Sequence, residues 1–362
     1  RGAGTGLADA IDRFYKDHPE LREGTVWAYQ DATKKLVAWA SKEGITSGDS
    51  LTGPHLVAFR ATLVREKRSV RGPGGRKATD KARSPWTINR ELRSLGTVLT
   101  YLRKLGLLTR LPSEAIADAL EKLRTPLEPA EYLRPDQLRQ LLGACMRHDA
   151  DRFTETRAEH AGQGRPGETV KHVTIAPLTA TLLLTGARLG EMLTLTWDRV
   201  HLEAPGEIVL GAATKTARGR VIALEVSPAL RTLLAALKLH AGKRDRVFDV
   251  TRNEAQAAHR RLVATYGAPK GSNWHALRAT CGSYLTCATG IYGSASAYHS
   301  AKQLGHSVAI AEKHYVGRIR NIPPDAKDLE TAMGVVDEVA EVGDSVSGTT
   351  APGLRSRRAA SH

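Results

Sequence analysis

The stretch TLLLTGARLGEMLTLTW, residues 181–197, decides the reading of this chain. It sits in a segment that is strongly apolar from Val173 to Leu195, with Arg188 and Glu191 in its middle. Glu191 follows Arg188 by three residues, the spacing at which helical side chains meet, so it either orients that arginine or forms an ordinary surface ion pair. On the C-terminal side, EIVL (207–210) and RVIALEV (220–226) bracket GAATKTARG. Two short β runs around a glycine-containing turn predict a hairpin, with Lys215 at its tip or edge. Further along, HALR places His275 and Arg278 three apart on a predicted helix, hence on one face. LGHS then contributes His306, and EKHYVG contributes Tyr315. Each element alone is weak, because HxxR arises by chance and TKT is an unremarkable turn. Their order and spacing within one basic chain carry the signal.

The 362 residues are enough for two domains with separate cores. Lysine and arginine number 53 against 38 acidic residues, a formal net charge of +15. Such a chain is drawn to a polyanion by counterion release, which makes nucleic acid the default partner. No unbroken apolar run reaches the length of about 18 residues that marks a membrane span, and no cleavable signal opens the chain. The expectation is a soluble protein of the cytoplasm, associated with the nucleoid and not with a membrane. Cys145, Cys281 and Cys287 lack CxxC spacing and suggest neither a disulfide framework nor a zinc site. Histidines 275, 299, 306 and 314 come without HExxH or a carboxylate cluster, and GxxxxGK[ST] is absent. No metal, nucleotide or other cofactor is therefore expected.

The predicted architecture is mostly α with a small β-hairpin or sheet, an α+β chain of two domains. Residues 1–23 lack sustained periodicity and read as an N-terminal extension. Helical spacing begins at Thr25 and runs through Val26, Tyr29, Leu36, Val37 and Trp39, so 24–124 reads as a small helical domain. Within it, SPWTINRELRSLGTVLTYLRKLGLL (84–108) carries an apolar stripe of Ile88, Leu92, Leu95, Val98, Leu99 and Leu102. Arg90 and Arg93 lie off that stripe. The preceding RSVRGPGGRKATDKARSP (68–85) reads as a mobile, solvated loop, either a plain linker or one whose Arg68, Arg71, Arg76 and Lys77 rest on phosphates. Three prolines in RTPLEPAEYLRP mark a linker over 125–132. A larger domain spans 133–335, interrupted by a polar insertion over 148–171, and 336–362 is expected to be a disordered tail. DAKDLETAMGVVDEVAEV (325–342) nonetheless has the stripe of an amphipathic helix, able to dock on its own domain or on a neighbouring protomer.

The chemistry these residue types support is metal-free attack on a phosphodiester. Negative charge spreads over the equatorial oxygens during attack, so positioned cations do most of the work. Arginine grips two oxygens with a planar fork and keeps its charge, which suits Arg188 and Arg278 to a phosphate clamp. Tyr315 is the candidate nucleophile; an ordinary phenol is only about 0.1% ionised at pH 7, so His275 must take its proton and the arginines must favour the phenolate. Lys215 can protonate the leaving 5′-oxygen, and His306 can bond a phosphate oxygen or the leaving group.

These motifs resemble those of the tyrosine recombinases of the phage-integrase family. TGARLGE resembles the family's first arginine box, TKTARGRVIAL its lysine hairpin, HALR its H-x-x-R box, and LGHS with Tyr315 nine residues after His306 its closing box. The specific motifs fall in 133–320, and 24–124 more loosely resembles the helical core-type DNA-binding domain. The segment GIYGSASAYHS (290–300) lengthens the span from Arg278 to His306, and Ala279 stands where histidine is frequent. The resemblance implies two domains closing on DNA as a C-shaped clamp and a 3′-phosphotyrosyl link at Tyr315, with Lys215 as general acid and the other four residues cradling the phosphate. It also implies a homo-tetramer on double-stranded recombination sites, assembled from monomers or dimers and compatible with an accessory DNA-bending or directionality factor. Two other readings remain at this point: a topoisomerase of type IB, with a similar Arg, Lys, Arg, His, Tyr set, and a catalytically silent architectural DNA-binding protein.

Overall fold

The computed structural model describes residues 5–72, 75–125, 132–154, 169–211, 219–293, 296–310, 319 and 322–348. The chain divides into two compact units, 1–128 and 129–362. Among the described residues, no helix is long and apolar enough to cross a membrane.

The first unit is built from α1 (Leu7–Asp17), α2 (Glu23–Lys42), α3 (Gly53–Arg65), α4 (Pro85–Lys104) and α5 (Ser113–Ala119). The stripe on α4 is its spine: Ile88, Leu92, Leu95, Val98, Leu99 and Leu102 are all buried. Six such side chains contribute on the order of 10 kcal/mol of gross hydrophobic stabilisation, most of it offset by lost chain entropy. Two expectations need correction here. Residues 1–23 are not a plain extension, because α1 buries Leu7, Ala10, Ile11 and Phe14 in the same core. Phe14 packs edge-on against Tyr101 of α4 with ring centroids 5.4 Å apart. The apolar spacing was helical but too short to register as sustained periodicity. The basic segment is likewise not a loop: β1 (Lys67–Gly72) and β2 (Gly75–Ala82) form an antiparallel ribbon. Lys67, Arg68, Ser69, Val70, Asp80, Lys81 and Ala82 are exposed, so among the described side chains no buried face imposes the two-residue alternation by which a strand is recognised.

The second unit centres on α7 (Ala176–Thr185), all ten of whose residues are buried. It packs against α6 (Pro135–Ala150) and α11 (Trp274–Cys287). A helix apolar all round belongs in the middle of a domain. Its N-terminal amides are met by Asp149, whose carboxylate accepts from Ile175 N at 2.9 Å and Ala176 N at 2.7 Å. Short strands β3 (Arg152–Thr154) and β4 (Thr169–Lys171) bound the polar insertion, and beside them the His148 and His172 rings stack 4.2 Å apart. After α8 (Leu189–Met192), strands β5 (Val200–His201), β6 (Glu207–Leu210) and β7 (Arg220–Ala223) form an antiparallel sheet with Ile208 opposite Ile222. The predicted hairpin is therefore the β6–β7 pair. Helices α9 (Pro228–Leu239), α10 (Arg252–Ala264), α12 (Thr289–Tyr292), α13 (Ser296–Leu304), α14 (Leu329–Met333) and α15 (Val336–Ser347) complete the unit. The expectation of disorder from 336 onward fails over α15, which buries Val339 and Val342 against its own unit, on α6, α7 and α9. Val339 and Val342 thus pack the apolar stripe of this acidic helix on its own unit.

Candidate active site

The geometry begins with a break in the central helix. Gly186 caps α7 in the left-handed conformation at φ 62°, where an added Cβ would collide with a Leu304 methyl and lie 3.1 Å from Cys281 Sγ. Only glycine fits. The chain turns there and delivers Arg188 to the N-terminus of α8, where Glu191 reaches back to accept from the Arg188 amide at 2.7 Å.

Glu191 is the hub of a buried charge network. It accepts from the Arg188 guanidinium at 2.9 Å and from two nitrogens of Arg220 at 2.8 and 2.6 Å. Its side chain is 7% exposed, so the surface ion-pair reading does not describe it. Burial by itself would raise the carboxyl pKa, but the Arg220 and Arg188 hydrogen bonds prevail and bring it down to about 2. Arg220, at the start of β7, also donates from Nε to the Gln303 carbonyl at 2.8 Å. It was not singled out from sequence, yet a cue existed. Ile222 and Leu224 are buried while Val221 is 48% exposed, and strand alternation puts residue 220 on the inward side with 222 and 224. A cation at an inward strand position requires a partner.

Arg278 is held differently. It is 5% exposed on α11 and donates to the Gly186 carbonyl at 2.6 Å and to the Leu304 carbonyl. Both acceptors close helices, α7 and α13, whose C-terminal ends carry partial negative charge. A buried guanidinium is thereby stabilised by two helix ends. Gly305, at φ 70°, follows Leu304, and a Cβ there would meet Arg220 Cδ at 2.9 Å.

His275 stands one turn before Arg278, on a helix start capped by Asn273, whose Oδ1 accepts from the amides of residues 275 and 276 at 3.0 Å. The protein around His275 lowers its pKa, and the charges of Arg278 and Arg188 lower it further. His306 is pulled down chiefly by burial; its contact with the Ser307 carbonyl at 3.1 Å opposes this, and Arg278, Arg188 and Arg220 add to the lowering. Both rings are consequently neutral near pH 7, able to accept a proton or share one.

Four of the six residues expected to carry chemistry, Arg188, His275, Arg278 and His306, thus gather around the Gly186 break and the end of α13. Lys215 and Tyr315 lie outside the described residues, as does His314. His299 is exposed and stacks on Tyr292 at 4.8 Å, and Trp274 is buried beside His259. The buried Cys145 and Cys281 thiols are pushed up to about 12 by burial, which makes them unreactive. Arg68, Arg90 and Arg93 are exposed on the first unit. Arg71 and Arg76 stand opposite one another across the ribbon, and Lys77 opposite Val70.

No protein-family model and no curated protein sequence matches the chain. Solved structures do. A lambda integrase tetramer bound to a Holliday junction superposes with a TM-score of 0.58 at 14% identity, covering 89% of this chain and 81% of the other. The XerH site-specific recombinase bound to palindromic difH substrate gives 0.55 at 14% identity, covering 84% and 79%. The Tn1549 transposon integrase in complex with circular intermediate DNA gives 0.52 at 14% identity, covering 87% and 96%. The chain has the fold of the tyrosine recombinases.

Proposed function

We propose that this protein is a site-specific DNA recombinase that cuts and rejoins double-stranded DNA through a 3′-phosphotyrosyl intermediate at Tyr315. The supporting observation is the grouping of Arg188, Arg278, His275 and His306 around one break in the central helix, with both histidines biased toward the neutral form. The fixed charge of the arginines answers the charge that develops on the phosphate, so the reaction draws on neither a metal nor ATP. Arg188, whose side chain is 39% exposed, offers its outer edge to the equatorial oxygens while Glu191 fixes its inner one. Arg278 completes the clamp from its cradle of helix ends. Neutral His275 takes the phenolic proton of Tyr315, and the phenolate oxygen forms a bond to phosphorus. The bond from phosphorus to the 5′-oxygen breaks as Lys215 protonates the leaving group. His306 bonds a non-bridging oxygen. Reversal with another strand's 5′-hydroxyl restores the phosphodiester, because the tyrosyl ester retains its free energy. Exchange between two sites calls for a homo-tetramer, as in the lambda integrase complex on a Holliday junction.

The test is a denaturing pull-down of tagged protein from cells carrying the source DNA, comparing wild type with Tyr315→Phe. Wild type should retain DNA from one short locus, and the variant none. Adducts scattered over the genome would instead indicate a relaxing topoisomerase, and no adduct from either protein would leave only DNA binding.

A further inference from the structure

We infer that the β1–β2 ribbon is a second DNA-binding element, one that enters a groove of duplex DNA as a rigid two-stranded finger. The inference extends the proposed function, because it assigns the ribbon to the same DNA partner.

Three observations carry it. The first is charge. Residues 65–83 hold Arg65, Lys67, Arg68, Arg71, Arg76, Lys77, Lys81 and Arg83 against Glu66 and Asp80 alone. The register sets Arg71 directly opposite Arg76. Like charges at opposed positions destabilise an isolated hairpin, and a polyanion lying along the ribbon removes that penalty. Acidic peptides could do so too, but the excess runs the length of both strands, which matches a line of phosphates.

The second is exposure without a covering element. Lys67, Arg68, Val70, Asp80 and Lys81 are exposed, so the described side chains of the ribbon add nothing to the core of its unit. An uncovered two-stranded hairpin is marginally stable in water, so a partner is expected to complete it. Six residues at about 3.4 Å each make it about 20 Å long, and a ribbon of two strands is a shape the major groove of about 12 Å admits.

The third is the anchorage. Arg83 follows β2 directly and is itself buried, its side chain 8% exposed. It donates to Glu66, before β1, at 2.8 Å and to Glu91 on α4. Lys35 of α2 adds a 2.6 Å hydrogen bond to the same Glu91 oxygen. Both ends of the ribbon are thus riveted to the helical unit. A loose basic tail would add only unspecific attraction, whereas an anchored ribbon enters DNA at a fixed angle.

The experiment uses the full chain and duplex DNA of the recovered locus, with binding measured across a range of salt. Two variants are compared with wild type: the joint substitution Arg68→Gln, Arg71→Gln, Arg76→Gln and Lys77→Gln, and a shortened hairpin in which residues 69–78 are replaced by Asn-Gly. With up to four phosphates no longer neutralised, the slope of log affinity against log salt should become shallower by about 2 to 4. The hydroxyl-radical footprint of the shortened variant should contract by about four base pairs, because each strand loses four residues, about 14 Å, against a rise of about 3.4 Å per base pair. An unchanged slope and footprint in variants that melt like wild type would overturn the inference. So would a slope lost equally on single-stranded RNA, which would mark a general polyanion interaction. The catalytic reading is judged separately, by whether the wild-type protein forms a Tyr315-dependent adduct.

Discussion

Two nearly buried glutamates, one in each unit, each gather two cations, and their difference separates a structural knot from a reactive one. Glu91, with a side chain 3% exposed, takes Lys35 and Arg83, and the arginine is itself buried at 8%. Glu191, at 7%, takes Arg188 and Arg220; Arg220 is 6% exposed, but Arg188 remains 39% exposed. In the first knot the arginine is consumed in holding β-ribbon to helix. In the second, Arg220 does the holding and frees Arg188 to face outward with its orientation fixed. A cation that must bind an incoming phosphate should be preorganised on one edge and open on the other, and only the second knot meets that description.

The largest effect is expected from removing the consumed cation. Arg83→Met leaves Glu91 with a single partner and should lower the stability of the first unit by about 3 to 5 kcal/mol, as breaking buried ion pairs does. Chemical denaturation followed in each unit would show it, and an unchanged midpoint would mean the knot holds nothing. Arg188→Lys sharpens the contrast from the other side. It should slow strand cleavage by about 100- to 1000-fold, the scale of losing one transition-state donor, while stability falls by only about 1 kcal/mol, because Glu191 keeps both of its hydrogen bonds to Arg220. A large loss of stability with cleavage intact would place Arg188 in the structural class after all.

The smallest effect is that of pH. His172, His259, His275 and His306 all have pKa values depressed below 6.5, in each case with burial as the leading cause. The unfolded chain therefore binds more protons than the folded one as pH falls through that value, and stability declines from about 6.5 downward. For His275 and His306 the same protonation should also slow cleavage over that range. For His172, whose ring stacks on His148, only stability responds. Substituting His172→Gln should flatten the acid limb of a melting-temperature profile and leave the acid limb of the cleavage rate in place.

Much of the site was legible because its motifs are local. HALR puts His275 and Arg278 on one helical face by spacing alone, and TGARLGE joins Arg188 to Glu191 within four residues. The α4 stripe was equally plain, since a long amphipathic helix repeats its signal. What escaped was whatever depends on distant chain. Among the described side chains the basic ribbon has no buried face, so its strands left no alternation to read. Arg220 gained its meaning only from Glu191, 29 residues earlier, and from Gln303, 83 residues later.

By itself the sequence determined the predominance of helix, the division near the proline-rich linker and the identity of four residues that meet in space, because periodicity and residue chemistry act over short range. Tertiary structure alone decided that α15 stays on its own unit, that Arg278 rests on two helix ends and that Arg220 secures the arginine box. Those outcomes turn on which buried charges find partners and which apolar faces find grooves. Both are settled by the packing of segments far apart in the chain.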